Sequence, residues 1–248
     1  MSKYRQEFDD QEKIKAVRLT CMNIFSLITE SDRQSQFIRR YFECENYKDF
    51  IKLAEDYAPA GSSIMDELTG KALEEEEKKM EGNAEQFAIY NQPRSNHVNV
   101  LAGPGSGKTH VLTLRCAKLI YREYILPEHI LVLAYNRAVV IELQNRIDKL
   151  FTKLGMSRVA HRLHVYTFYE FARRSMGKCL DDIPTKCWEY AFWQYLSNPN
   201  SIIEFRGKYP QIEFILIDEF QDITQNRLAI IDRLQYIYPA ATYFIRVL

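Results

Sequence analysis

The sequence is poor in long apolar runs: no stretch approaches the roughly eighteen uninterrupted apolar residues that a membrane-crossing helix needs. Its first residues, Met1-Ser2-Lys3-Tyr4-Arg5, lead into charged sequence and carry no apolar signal core, so a cytoplasmic, unexported protein is expected. The five cysteines (Cys21, Cys44, Cys116, Cys179, Cys187) are odd in number and widely spaced, and no C-x-x-C occurs, which reads as reduced thiols rather than a disulfide framework. Combining His161, His164, Cys179 and Cys187 into a zinc site fits no common ligand spacing. There is no internal repeat and no low-complexity linker. Net charge is also absent, with 33 Lys and Arg against 33 Asp and Glu. Taken alone, that balance argues against a nucleic-acid partner, because phosphates call for an excess of Lys and Arg.

What is present is ordinary globular material. The 248 residues are 46% hydrophobic and 27% charged, enough for one large domain or two small ones and unlike a disordered chain. The zero balance also conceals an asymmetry. Residues 1–82 hold 13 basic and 18 acidic residues, whereas residues 83–248 hold 20 and 15. Within 151–178, six basic residues (Lys153, Arg158, Arg162, Arg173, Arg174, Lys178) meet one acid, Glu170.

The two parts differ in pattern as well. Residues 1–82 read as helical: apolar residues recur at helical spacing from Ile14 to Ile28, another run starts at Gln36, and Leu73–Met80 is a charged helix broken by Gly82. A domain boundary is expected there. Residues 83–248 alternate, with apolar strands predicted at Val98–Leu101, Ile130–Ala134, His164–Tyr166, Phe214–Ile217 and Thr242–Ile245. Helices are predicted at Thr109–Tyr124, Arg137–Leu154 and Thr224–Ile237. This alternation predicts an α/β fold, a parallel sheet with helices on both faces, preceded by a mostly α-helical segment.

After the first strand comes Ala102-Gly103-Pro104-Gly105-Ser106-Gly107-Lys108-Thr109. The strict phosphate-loop pattern has Gly where this chain has Ala102, and the relaxed form is matched. Glycines let successive backbone N–H groups converge on phosphate oxygens, and the following helix adds its positive end. Lys108 would reach the β- and γ-phosphates and Thr109 would bind Mg²⁺. The fourth strand runs straight into Asp218-Glu219-Phe220-Gln221-Asp222. Carboxylates at the end of a buried strand are costly unless they meet a cation, so Asp218 is expected to hold Mg²⁺ and Glu219 to orient and deprotonate the attacking water. Loop and carboxylates together point to nucleoside triphosphate hydrolysis.

These two segments resemble motifs I and II of superfamily 1A DNA helicases, the UvrD/Rep/PcrA group. Three further segments fit in order. Asn83-Ala84-Glu85-Gln86 looks like the Q motif, in which Gln86 would read the adenine edge. Leu131–Ala138 resembles motif Ia and Tyr166–Phe171 motif Ib, both of which contact single-stranded DNA in the family. The resemblance implies a RecA-like first motor domain over 83–248, ATP and Mg²⁺ as cofactors, and Gln221 beside Lys108, Asp218 and Glu219 in the catalytic set. Single-stranded DNA would be the partner, contacted by Tyr135, Asn136, Arg137, Thr167, Phe168 and Tyr169. Aromatics for stacking with arginines for phosphates suit that partner. Phe168 and Phe171 also suit a core position at helical spacing.

Some positions depart from the family's pattern. His110 stands where an adenine-stacking Arg is common, and Tyr169 where motif Ib usually has His. Asn136-Arg137-Ala138 replaces the common Thr-Asn-Lys. The interval from Thr167 to Asp218 is shorter than in UvrD itself, where a helical subdomain is inserted. The family continues with a Gly-Asp-x-x-Gln motif III and a second RecA-like domain; this chain reads Tyr238-Pro-Ala-Ala-Thr-Tyr-Phe-Ile-Arg-Val-Leu248 instead, with Arg246 late in an apolar strand. A fragment lacking the second domain is therefore expected, and residues 1–82 would serve a fused or partner domain. The alternatives to a motor are an ATP-binding sensor or interaction module, and an inactive truncation product. No ABC signature and no Asn-Lys-x-Asp of GTPases occurs.

Overall fold

The computed structural model describes residues 2–58, 64–101, 107–218 and 223–247. The chain divides into two compact units, Met1–Lys79 with Asp148–Ala160, and Met80–Ile147 with His161–Leu248.

The first unit is helical. It contains α1 (Ser2–Ser26), α2 (Ser31–Glu43), α3 (Tyr47–Tyr57) and most of α4 (Ile64–Glu81). The charged stretch predicted to be helical from Leu73 is therefore the second half of a longer helix. Asn46 starts α3 with a capping box: its side chain accepts from the backbone of Asp49, and the Asp49 carboxylate accepts from the Asn46 N–H. Val17, Cys21 and Ile24 of α1 recur at helical spacing and close on Phe37 and on Phe50, Ile51, Leu53 and Ala54, all buried. Burial pushes the Cys21 thiol up to about 12, so it packs as an apolar group.

The second unit opens with α5 (Ala84–Tyr90) and continues through β1 (Val98–Leu101), α6 (Lys108–Tyr121), β2 (Ile130–Ala134) and α7 (Arg137–Lys153). The last turns of α7 and the short α8 (Ser157–Ala160) belong to the first unit. The chain then returns through β3 (His164–Thr167), α9 (Phe168–Met176), α10 (Trp188–Ser197), α11 (Pro199–Lys208), β4 (Phe214–Ile217), α12 (Gln225–Ile237) and β5 (Thr242–Val247). All pairings are parallel, in the order β1-β5-β4-β2-β3.

Every residue of β2 and β4 is buried, so both faces of the central strands are covered. On one face Leu131, Leu133, Ile215 and Ile217 pack with Phe171, Phe192, Phe205 and Leu234. The expected parallel α/β sheet is what forms. Parallel strands aligned this way bring the ends of β1, β2, β3 and β4 to one edge of the sheet, where sites of such folds collect. Arg246 does not interrupt β5; it pairs in register with Val100.

The unit boundaries also change the charge picture. Segment 148–160 carries Lys149, Lys153, Arg158 and Asp148 into the first unit, and Glu81 falls in the second. The sequence-level split of −5 and +5 becomes −2 and +2.

Candidate nucleotide and nucleic-acid sites

The nucleotide end of the sheet is assembled locally first. Asn83 caps α5 by accepting from the Gln86 N–H at 3.1 Å. α5 is then tied to α6: the buried Arg115 donates from Nη1 to the Tyr90 carbonyl at 2.5 Å, and the Lys118 ammonium sits 4.5 Å from the Tyr90 ring centre. Burial holds the Arg115 guanidinium below its ordinary pKa. The result is that the Gln86 side chain lies against Gly107. A β-carbon on Gly107 would stand 2.6 Å from Gln86 Nε2. Gly107 has φ +75°, a left-handed conformation that glycine adopts without strain, and it begins α6 as its N-cap.

Lys108, Thr109 and His110 form the first turn of α6, the positive end of that helix. Asp218 directly follows β4, is 1% exposed, and its N–H donates to the Leu133 carbonyl at 2.9 Å. The Thr109 hydroxyl and the Asp218 carboxylate are the hard oxygen donors that Mg²⁺ prefers. Ala102, Gly103, Pro104, Gly105 and Ser106 lie outside the described residues, as do Glu219 and Gln221.

A second cavity, of about 800 Å³, opens where β2 and β3 end. Its walls include Tyr135, Asn136, Arg137, Thr167, Tyr169 and Arg173. Five of the six residues expected to contact DNA thus share one hollow. Asn136 and Thr167 are also caps, accepting from the N–H of Val139 and of Glu170, each at 3.0 Å. Tyr135 and Tyr169 are 39% and 43% exposed, so part of each side chain is open to solvent at the cavity.

Phe168 is a correction. It is 1% exposed and belongs to the core, because Phe168, Phe171, Ala172, Ser175 and Met176 fall on the inward face of α9. It cannot offer its face to a base.

The basic segment is corrected in the same way. Arg162 pairs with Glu128 at 2.5 Å, and Arg174 with Glu170 at 2.8 Å while lying 4.7 Å from the Tyr166 ring centre. No carboxylate lies within ion-pair distance of Arg137 or Arg173 among the described residues, so these two bring uncompensated charge to the cavity.

Sequence reasoning missed Arg227, Glu189 and Trp188. Arg227 near the start of α12 pairs through Nε with Glu189 of α10 at 2.8 Å, both side chains 15% exposed. Its guanidinium lies 4.9 Å from the Tyr135 ring centre and 5.6 Å from those of Phe168 and Trp188. These residues come from separate elements, so no spacing along the chain links them.

Residues 82–204 match the family model described as the UvrD/REP helicase N-terminal domain. That stretch includes Gln86, Lys108 and the second cavity's β2 and β3 residues, and stops before Asp218. Among relatives, a probable DNA helicase of Mycoplasma pneumoniae is 36% identical over 84 residues, 34% of this chain and 15% of that protein. The ATP-dependent DNA helicase srs2 of Schizosaccharomyces pombe is 34% identical over 96 residues, 39% of this chain and 10% of its own length. DNA helicase IV of Escherichia coli is 38% identical over 76 residues, 30% and 11% respectively. The alignment spans a small part of each of these relatives. Among the described residues no helix is long and apolar enough to cross a membrane.

Proposed function

We propose that the second unit, which holds most of the residues 82–204 that match the family model of the UvrD/REP helicase N-terminal domain, is the ATP-binding and ATP-hydrolysing first motor domain of a DNA helicase. In the intact parent protein it would act on single-stranded DNA with 3′-to-5′ polarity, together with a second RecA-like domain. What supports this most is the seating of the Gln86 amide against Gly107 at the start of α6. A side chain able to both donate to and accept from an adenine edge then stands beside the loop suited to phosphates.

Lys108 would neutralise the β- and γ-phosphates, and Thr109 and Asp218 would hold Mg²⁺. When bound there, Mg²⁺ would supply charge neutralisation to the phosphate groups. Glu219 would take the proton of the attacking water, and Gln221 would complete the set. His110 would offer an imidazole face to the base in place of an arginine. DNA would run through the hollow at the ends of β2 and β3, bases stacking on Tyr135 and Tyr169, phosphates meeting Arg137 and Arg173.

The test is nucleotide binding and ATPase rate, with and without single-stranded DNA. It compares this chain, Lys108→Ala, and a version extended by a second motor domain. Expected are Lys108-dependent nucleotide binding, weak turnover of the chain alone, and strong DNA stimulation of the extended form. An extended form that ignores DNA overturns the motor reading and leaves a nucleotide-binding module.

A further inference from the structure

The first unit contains its own cavity of about 800 Å³, ringed by Lys13, Lys48, Lys71, Lys79, Lys149 and Lys153. The sequence scatters these residues over 140 positions, and helical geometry gathers them. Lys71 and Lys79 fall at i and i+8 on one face of α4, with Glu75 between them, and Lys149 and Lys153 are one turn apart near the end of α7. Lys13 comes from α1 and Lys48 from the start of α3.

Their charge is only half compensated. Lys13 pairs with Glu75 at 3.0 Å and Lys71 with Glu67 at 2.5 Å. Lys79 and Lys153 share a single oxygen of the buried Glu76, at 2.7 and 2.5 Å. No carboxylate lies within ion-pair distance of Lys48 or Lys149 among the described residues. Among the described residues six ammonium groups therefore meet three carboxylates, a local surplus of three, in a unit whose net charge is −2. Holding like charges together costs free energy that an anionic ligand would recover.

The ring is all lysine, and no arginine lines the cavity. Lysine serves phosphate as a compact point charge that needs no fixed fork geometry. Ile14, Leu68, Ala72 and Tyr47 also line the cavity, which gives a base or sugar an apolar surface to lie on. We propose that this lysine-ringed cavity is a binding site for the phosphodiester backbone of single-stranded nucleic acid. It is separate from the hollow at the ends of β2 and β3 and does not rest on the ATPase reading.

The test uses the full chain carrying Arg137→Gln and Arg173→Gln, which weakens the other cavity. Binding of a fluorescein-labelled single-stranded oligonucleotide is followed against salt, with and without Lys48→Gln/Lys149→Gln. Both lysines are exposed, so the fold should be indifferent to their loss. The expected result is an affinity loss on the order of tenfold and a salt slope shallower by about 1.4, roughly 0.7 for each phosphate contact removed. Lys48→Arg/Lys149→Arg should restore most of the affinity. Unchanged affinity and slope overturn the proposal. So does an acidic peptide or inorganic tripolyphosphate that binds as tightly as the oligonucleotide.

Discussion

Gly107 and Phe168 sit at positions where neighbouring atoms leave little choice of side chain. Gly107 combines φ +75° with an amide that would stand 2.6 Å from any β-carbon. Gly107→Ala should cost about 1–2 kcal/mol from the left-handed backbone alone. It should also displace Gln86, so thermal unfolding and nucleotide affinity should fall together. Phe168 and Tyr169 are adjacent in sequence and opposite in environment. Phe168→Ala should cost about 3–5 kcal/mol of stability as a core cavity. Tyr169→Ala should leave stability nearly intact and weaken oligonucleotide binding on the order of tenfold through lost stacking. Denaturant melts beside binding titrations of both variants separate the two. An equal effect of both on DNA and on stability would contradict the burial argument. Sequence gave the pair as neighbouring aromatics in one motif; the face of α9 on which each falls decides its role.

At the scale of elements, α4 and the last turns of α7 are joined by charge. Burial alone would raise the Glu76 carboxyl, but hydrogen bonds from Lys153 and Lys79 outweigh it and hold the pKa below 4.5. The same balance keeps Asp56 low between Arg40 and Arg158. A depressed carboxylate contributes stability that is complete above its unfolded pKa and is lost as pH falls through the folded one. The first unit should therefore lose stability below about pH 4.5, and Glu76→Gln should flatten that slope and cost about 2 kcal/mol at neutral pH. Chemical denaturation at pH 7 and pH 4 checks both parts; an unchanged acid slope would show that Glu76 is not the group responsible. The strands of the second unit and its helices α6, α7 and α12 are legible from apolar patterning, because buried parallel strands read as apolar runs and these helices carry apolar residues at helical spacing. α10 and α11 are not, since their inward residues are mixed with exposed aromatics such as Tyr190 and exposed apolar residues such as Ile203.

Over the whole molecule, the segment 148–160 is the clearest case of sequence position misleading about place. It follows strand β2 in the chain and yet finds its partners in the first unit. The Ser157 N–H donates to Glu55 at 2.8 Å, Arg158 pairs with Asp56 at 3.0 Å, and the Tyr47 hydroxyl donates to the Lys153 carbonyl at 3.1 Å. A version beginning at residue 80 should lose amide-exchange protection over 148–160 while the sheet strands keep theirs. Protection retained across 148–160 would mean that these contacts add little. The sequence by itself determined the parallel α/β class, the phosphate-loop string ahead of a helix, and the acid at the end of an apolar strand. Those features are local, fixed by backbone conformation and by the alternation of apolar and polar residues over a few positions. Only the tertiary structure decided that Gln86 meets Gly107, that Phe168 faces the core, and that Arg227 supports Tyr135. It also decided that six lysines from four helices surround one cavity. Such contacts depend on how separate elements pack, and no spacing along the chain encodes the distance between them.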